Sequence, residues 1–249
     1  MRHSLLALAL LATTTPLAAA DPAVSPSIKA ALADPARPAA DVARDAASHP
    51  GELLTFAGVE PGMKVADFLM GGGYWTRILA KTVGDKGRVY AYQAAEFISF
   101  RADYAKQQDD AVAGYTNVTP NRDSLATLAF AEPLDAIVTV QNYHDLHLSS
   151  APPGAAKFIA GRLYAALKPG GVLLLVDHVA NADPAFTAPE KLHRIDPAAA
   201  RAELESVGFK FEGESPLLRN ADDPHTVIVF APAVRGKTDQ FVYKFRRPQ

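Results

Sequence analysis

The sequence predicts an α/β protein built on a doubly wound, mostly parallel sheet of seven strands, preceded by a short helical extension. Three observations carry this. A short apolar strand, Lys64 to Met70, runs into three consecutive glycines, Gly71, Gly72 and Gly73, and then into a helical pattern from Tyr74 to Lys81. Strand and helix patterns alternate from there to Val176, as crossover units in a parallel sheet require. Two alternating segments, Phe209 to Ser215 and Gln240 to Arg246, end the chain as a strand pair with one member reversed; Thr226 to Phe230 competes for that place.

The chain begins with Arg2 and His3, an apolar block from Leu5 to Leu11, and Ala18-Ala19-Ala20 before Asp21. This is the pattern of a secretory signal peptide over residues 1–20, with a periplasmic or secreted destination; a misassigned start with an apolar N-terminus is the alternative. The block is well short of the roughly 20 residues of a spanning helix, so no membrane anchor is expected after cleavage. The sequence has no cysteine, which excludes a disulfide framework, a thiolate metal site and a lipidated cysteine. With 25 basic and 27 acidic residues the formal charge is −2, which offers no footprint for nucleic acid.

Residues 21–51 divide into an Ala- and Pro-rich linker, with at most a short helix around Ile28 to Leu32, and a helical segment from Asp41 to Ser48. The main domain spans 52–249 and opens with a helix from Glu52 to Ala57. These short helices are expected to brace the glycine turn. Arg44, Asp45 and His49 are within reach of a ligand there, or form a solvated face.

The glycine turn is the centre of the fold. Without side chains its backbone can take positive φ and let a ligand lie against it, beside the free N–H groups of the following helix. Asp67 inside the strand needs a partner, from donors at the strand end or from a cation. A dinucleotide fingerprint would put its last glycine where this chain has Thr76, so hydride transfer is disfavoured.

The second strand, Arg88 to Gln93, ends at the place where such sites put an acid for the ribose hydroxyls; Gln93 offers an amide instead, and Glu96 follows as a helix cap. A helix from Ala94 to Gln108 and a short third strand near Val118 lead to Asp123 and Ser124, which either face a ligand or cap the segment from Leu125. The fourth strand, Leu134 to Val140, runs into Gln141-Asn-Tyr-His-Asp145, a polar cluster where open α/β sheets bind ligands. His144 is the candidate base, Asp145 its orienting group or a holder of a cationic substrate, and Tyr143 a pocket wall; a helix-capping loop is the alternative. His147 completes H-D-x-H, but two histidines and a carboxylate on one loop fall short of a fixed metal centre, so none is expected. The fifth strand, Gly171 to Val176, delivers Asp177 and His178 to the same edge. His193 and Arg194 are further candidate substrate contacts, with capping by Asp196 of the helix from Pro197 as the alternative.

The register Asp67, Leu69, Gly71, Gly73 resembles motif I of the class I S-adenosylmethionine-dependent methyltransferases, D/E-x-G-x-G-x-G. The ordered set F-L-M-G-G-G-Y-W-T, N-Y-H-D-L-H, L-K-P-G-G and G-K-T-D-Q-F resembles a group of exported bacterial predicted methyltransferases. The resemblance covers roughly Leu53 to Pro248 and implies a Rossmann-like methyltransferase fold. It implies S-adenosylmethionine as cofactor and methyl transfer to an oxygen or nitrogen of a small molecule. It also implies that Asp67 lies near the cofactor's amino group and Gly71 to Gly73 under its adenosyl side. Gln93, Asp123, Ser124 and Gln141 complete the expected cofactor contacts, and His178, His193 and Arg194 the substrate contacts. Leu69 for glycine and Gln93 for an acid depart from the pattern. Two other readings share the fold: a binding protein with a lost or changed ligand, and a different enzyme using His144, Asp145, His178 and His193.

Overall fold

A computed structural model describes residues 23–249. The leader at 1–20, on which the expectation of export rests, lies outside the described residues. The extension comprises Pro26–Leu32 (α1), Ala39–Val42 (α2), Asp45–Ser48 (α3) and Pro50–Ala57 (α4). The alternating part follows as Lys64–Phe68 (β1), Tyr74–Val83 (α5), Arg88–Tyr92 (β2), Ala95–Phe100 (α6), Asp103–Val112 (α7), Val118–Asn121 (β3) and Leu134–Val140 (β4). Next come Ala155–Ala166 (α8), Leu167–His178 (β5), Ala188–Leu192 (α9), Pro197–Ser206 (α10), Lys210–Ser215 (β6) and Gln240–Arg246 (β7).

One sheet holds all seven strands in the order β3-β2-β1-β4-β5-β7-β6. Six run in one direction, and β7 inserts antiparallel between β5 and β6, pairing Val172 with Arg246 and His178 with Gln240 at its two ends. The last strand is therefore 240–246, and 226–230 is not a strand. The chain winds outward from β1 through β2 to β3, then crosses back to β4 on the other side of β1. That reversal opens a crevice at the carboxyl ends of β1 and β4.

Side chains alternate between two cores, as the pleat demands. Ala66, Phe68, Ile137, Leu173 and Leu175 point to one face, where α8 and α10 bring Ile159, Leu163 and Leu204. Val65, Val138, Leu174 and Val176 point to the other, where Leu53, Leu54, Ile78 and Leu79 of α4 and α5 cover them. Asp67 shares this second face, and α5 brings Thr76 to it. The segment expected to be a flexible linker is instead part of this layer: Ser25 caps α1, and Ile28 and Ala31 are buried in the same core. Arg37 grips Asp45 through two hydrogen bonds of 2.6 and 2.7 Å, and Arg77 of α5 donates to Asp41 at 2.8 Å, fastening the extension to the glycine helix. The helix expected over 94–108 is broken at Arg101, where the backbone turns extended. Among the described residues no helix is long and apolar enough to cross a membrane.

Candidate active site

The crevice between β1 and β4 is an open cleft walled by Asp67, Leu69, Met70, Gly71, Gly72, Tyr74, Trp75, Gln93, Phe97, Tyr104, Val140, Gln141, Asn142 and Asp145, with Arg44 at its rim. Its floor is backbone. Gly71 sits at φ +54 and its N–H donates to Gln93 Oε1 at 2.9 Å, so the end of β2 clamps the turn that follows β1. Gly73 does not line the cleft. It starts α5 at φ +81, and a Cβ there would overlap that of Ala111, so its glycine is demanded by the α5–α7 contact.

Leu69 occupies the position where the motif has glycine, and its backbone is left-handed, at φ +57. A non-glycine residue holds that conformation only when its surroundings enforce it. Here the enforcing group is Asn142, whose amide nitrogen donates to the carbonyls of Phe68 and Leu69 at 2.9 and 3.1 Å, while its oxygen accepts from Thr139. The sequence reading assigned Asn142 no role. Its signal was a buried polar residue at a strand end.

Asp67 is 3% exposed, and one carboxylate oxygen accepts from Thr76 Oγ1 at 2.6 Å. Burial pushes its pKa up to about 6, against the lowering effect of Thr76 and of Arg77 at a distance. It is a cleft carboxylate lacking a close cation.

The opposite wall is built around His144. Its Nδ1 meets Asp177 Oδ1 at 2.7 Å and its backbone N–H donates to the other oxygen of Asp177, a wholly buried carboxylate at the end of β5. Its Nε2 lies 3.3 Å from Asp145 Oδ1. Burial opposes a charge on the ring, but Asp177 and Asp145 outweigh it and push the pKa up to about 10. At neutral pH the unliganded imidazole is therefore protonated, not the free base the sequence suggested. His193 comes from the far loop after α9, at φ +48, and puts Nδ1 3.6 Å from the same Asp145 oxygen. His144, Asp145 and His193 thus meet, with Asp145 the member that reaches the cleft.

Several expected contacts lie elsewhere. Tyr143 is fully buried against the α8 and α10 core and donates to Glu203 at 2.6 Å, because the left-handed backbone at Gln141 (φ +59) turns the following residues away from the strand line. His147 turns the same way, stacking on Phe186 with Nε2 3.2 Å from Glu203. Arg194 is wholly buried in a two-point pair with Asp223, at 2.8 and 2.9 Å, and also donates to the carbonyls of Val179 and Val227. It is an anchor for the loop that carries His193, not a substrate contact. His178 stands behind His144, with Nδ1 2.7 Å from Thr238 Oγ1, and burial pushes it down to about 4, so it is neutral. Asp123 and Ser124 do not line the cleft: Ser124 caps the turn at Leu125–Thr127, and Glu96 accepts from Ser124 and Leu125. Gln141 lines it and donates to Gln240 at 2.9 Å. Of the extension, Arg44 reaches the cleft, its guanidinium 4.4 Å above the Tyr74 ring. Asp45 is spent on Arg37 and the Tyr74 hydroxyl, and His49 joins α3 to α4.

No protein-family model matches the sequence, and comparison with curated proteins finds no match. Solved structures do match. An S-adenosylmethionine-dependent methyltransferase from Aquifex aeolicus superposes with a TM-score of 0.57 over 88% of this chain and 96% of its own, at 22% identity. A protein from Bacillus halodurans assigned as a methyltransferase gives 0.55 over 81% of this chain and all of its own, at 20% identity. The cyclase SpnF gives 0.54 over 82% of this chain and 81% of its own, at 15% identity. The chain has the class I methyltransferase fold.

Proposed function

We propose that the protein is an exported methyltransferase that moves the methyl group of S-adenosylmethionine to an oxygen or nitrogen of a small molecule. The observation that carries this reading is the cleft in which Asp67, the Gly71–Gly72 floor and Gln93 face Asp145 across the switch point of the sheet. The cofactor fits the groups present. Asp67 is a buried carboxylate whose raised pKa marks the want of a cation, which an ammonium would supply. The glycine floor, at positive φ at Gly71, leaves room for a flat ligand against the backbone. The leader pattern at residues 1–20 supports export.

Bound there, S-adenosylmethionine supplies a methyl group on a positively charged sulfur. The chain's part is mainly positioning. Tyr74, Trp75 and Phe97 exclude water from the cleft wall, Asp67 orients the amino end, and Gln93 holds the turn in place. On the far side the protonated His144 fixes Asp145 by charge, and Asp145 accepts a hydrogen bond, and finally the proton, from the attacking group.

One observation favours a second reading, a binding protein with a changed ligand. One lone pair of the Gln93 oxygen is already taken by Gly71 and the amide carries no charge, so a ribose diol meets a weaker acceptor there than an acid would offer. Calorimetric titration of the purified protein with S-adenosylmethionine and S-adenosylhomocysteine separates the two. Micromolar binding, about −8 kcal/mol, that is lost in Asp67→Ala supports the methyltransferase. The absence of heat and of a thermal shift at millimolar ligand overturns it.

A further inference from the structure

We propose that His144 Nε2, Asp145 Oδ1 and His193 Nδ1 form a binding site for a divalent transition-metal ion of the zinc or iron(II) type, open on the cleft side. The three ligand atoms lie within 4.8 Å of one another. The two measured edges, 3.3 Å from His144 to Asp145 and 3.6 Å from His193 to Asp145, match the ~3.3 Å edge of a tetrahedron with metal–ligand bonds of about 2.0–2.1 Å. They are long for charge-assisted hydrogen bonds, which close to about 2.8 Å. An ion there takes the place of the Nε2 proton of His144 and of its contact with Asp145.

Two further features belong to such a site. The remaining nitrogen of His144 meets the buried Asp177 at 2.7 Å, and a carboxylate behind the ligating ring is the usual means of fixing which nitrogen faces the metal and of raising its basicity. His193 is held at φ +48, a backbone state that costs free energy for a residue with a Cβ, and its ring packs against Phe230 at 4.9 Å and edge-on to His144 at 5.5 Å. The Arg194–Asp223 pair next in the chain maintains that placement.

Two imidazoles and one carboxylate select borderline ions such as zinc or iron(II) over magnesium or calcium. Three protein ligands leave at least one coordination position vacant. Asp145 lines the cleft, so that position faces the cleft and takes water or an oxygen donor of the ligand. The site joins two segments far apart in sequence. H-D-x-H supplies only two of its ligands, since His147 points into the α10 side.

The test is titration of the purified, chelator-treated full chain with cobalt(II), read by visible absorption, followed by zinc(II) competition against a chromogenic chelator. One equivalent of cobalt with the strong absorption of four- or five-coordination, displaced by zinc, is expected. Asp145→Asn and His193→Asn should each weaken zinc binding about 100-fold or more, whereas His147→Ala should retain it. Asparagine tolerates the left-handed backbone at 193, and thermal unfolding of each variant identifies those that are folded. Weak, octahedral-type cobalt binding only, or tight binding that survives both ligand substitutions, overturns the proposal; so does loss in folded His147→Ala. The site stands on this geometry and not on the methyltransferase reading: S-adenosylmethionine titration of the metal-free chain reports on that reading separately.

Discussion

Asp67 and His144 stand at the carboxyl ends of neighbouring strands and are almost equally buried, at 3% and 4% exposed, yet their surroundings act on them in opposite ways. Asp67 has a hydroxyl and a distant guanidinium, so burial dominates and its charge is disfavoured. His144 has two carboxylates, so burial loses and its charge is stabilised. One side of the cleft is a carboxylate in want of a cation; the other is a cationic centre enclosed by anions. The two sides also differ in origin. The Asp67 side is largely local, made by ten residues from Asp67 to Thr76 with clamps from Gln93 and Asn142. The His144 side is assembled from the end of β4, the end of β5 and the loop after α9.

That difference can be broken first at the anchor of the assembled side. Arg194→Leu leaves Asp223 buried without its partner and should cost about 3–5 kcal/mol in urea unfolding. A cost under about 1 kcal/mol would show that the loop holds His193 without it.

The local side is tested by pH. The Asp67 pKa is raised on folding, from about 4 to about 6, so the native state binds this proton more tightly than the unfolded chain does. Its contribution to stability is complete below about pH 4 and is lost as pH rises to about 6, roughly 3 kcal/mol in all. The difference in unfolding free energy between wild type and Asp67→Asn should follow that curve and flatten above it. A cationic ligand should reverse the trend, binding more tightly as pH rises through 6. A pH-independent difference would exclude the raised pKa.

The smallest effect marks the boundary of the assembled side. Tyr143→Phe removes one hydrogen bond, to Glu203, and should cost about 1 kcal/mol in stability with no change in ligand affinity or turnover. A large loss of turnover at unchanged stability would return Tyr143 to the cleft.

The sequence made the local side legible because its parts are contiguous: strand, glycines and helix announce themselves by composition, and Asp67, Gly71 and Gly72 stand where they were expected. The doubly wound sheet and a reversed strand in its last pair followed from the alternation of elements; the order of the strands did not. What could not be read was direction. Tyr143 and Asp145 are two residues apart and go to opposite sides of the sheet end, because His144–His147 form a 3-10 turn, which no pattern of side chains reveals. Arg194 looked like a substrate contact because its partner, Asp223, is 29 positions on. Ser124 is held by Glu96 and caps the turn from Leu125, so that apparent ligand contact is a cap. His193 was singled out, but its meeting with His144 and Asp145 depends on a loop whose path only the folded chain supplies.

Asn142 ties the carbonyls of Phe68 and Leu69 to the loop that begins two residues before His144. The floor under the proposed cofactor and the wall beside the proposed ion are joined by these two hydrogen bonds, a route by which occupancy of the two positions would be linked. Whatever factor an ion at His144 adds to or removes from affinity at the glycine turn, a molecule at the turn must return to the ion unchanged, and Asn142→Ala is the substitution that should bring that factor toward one.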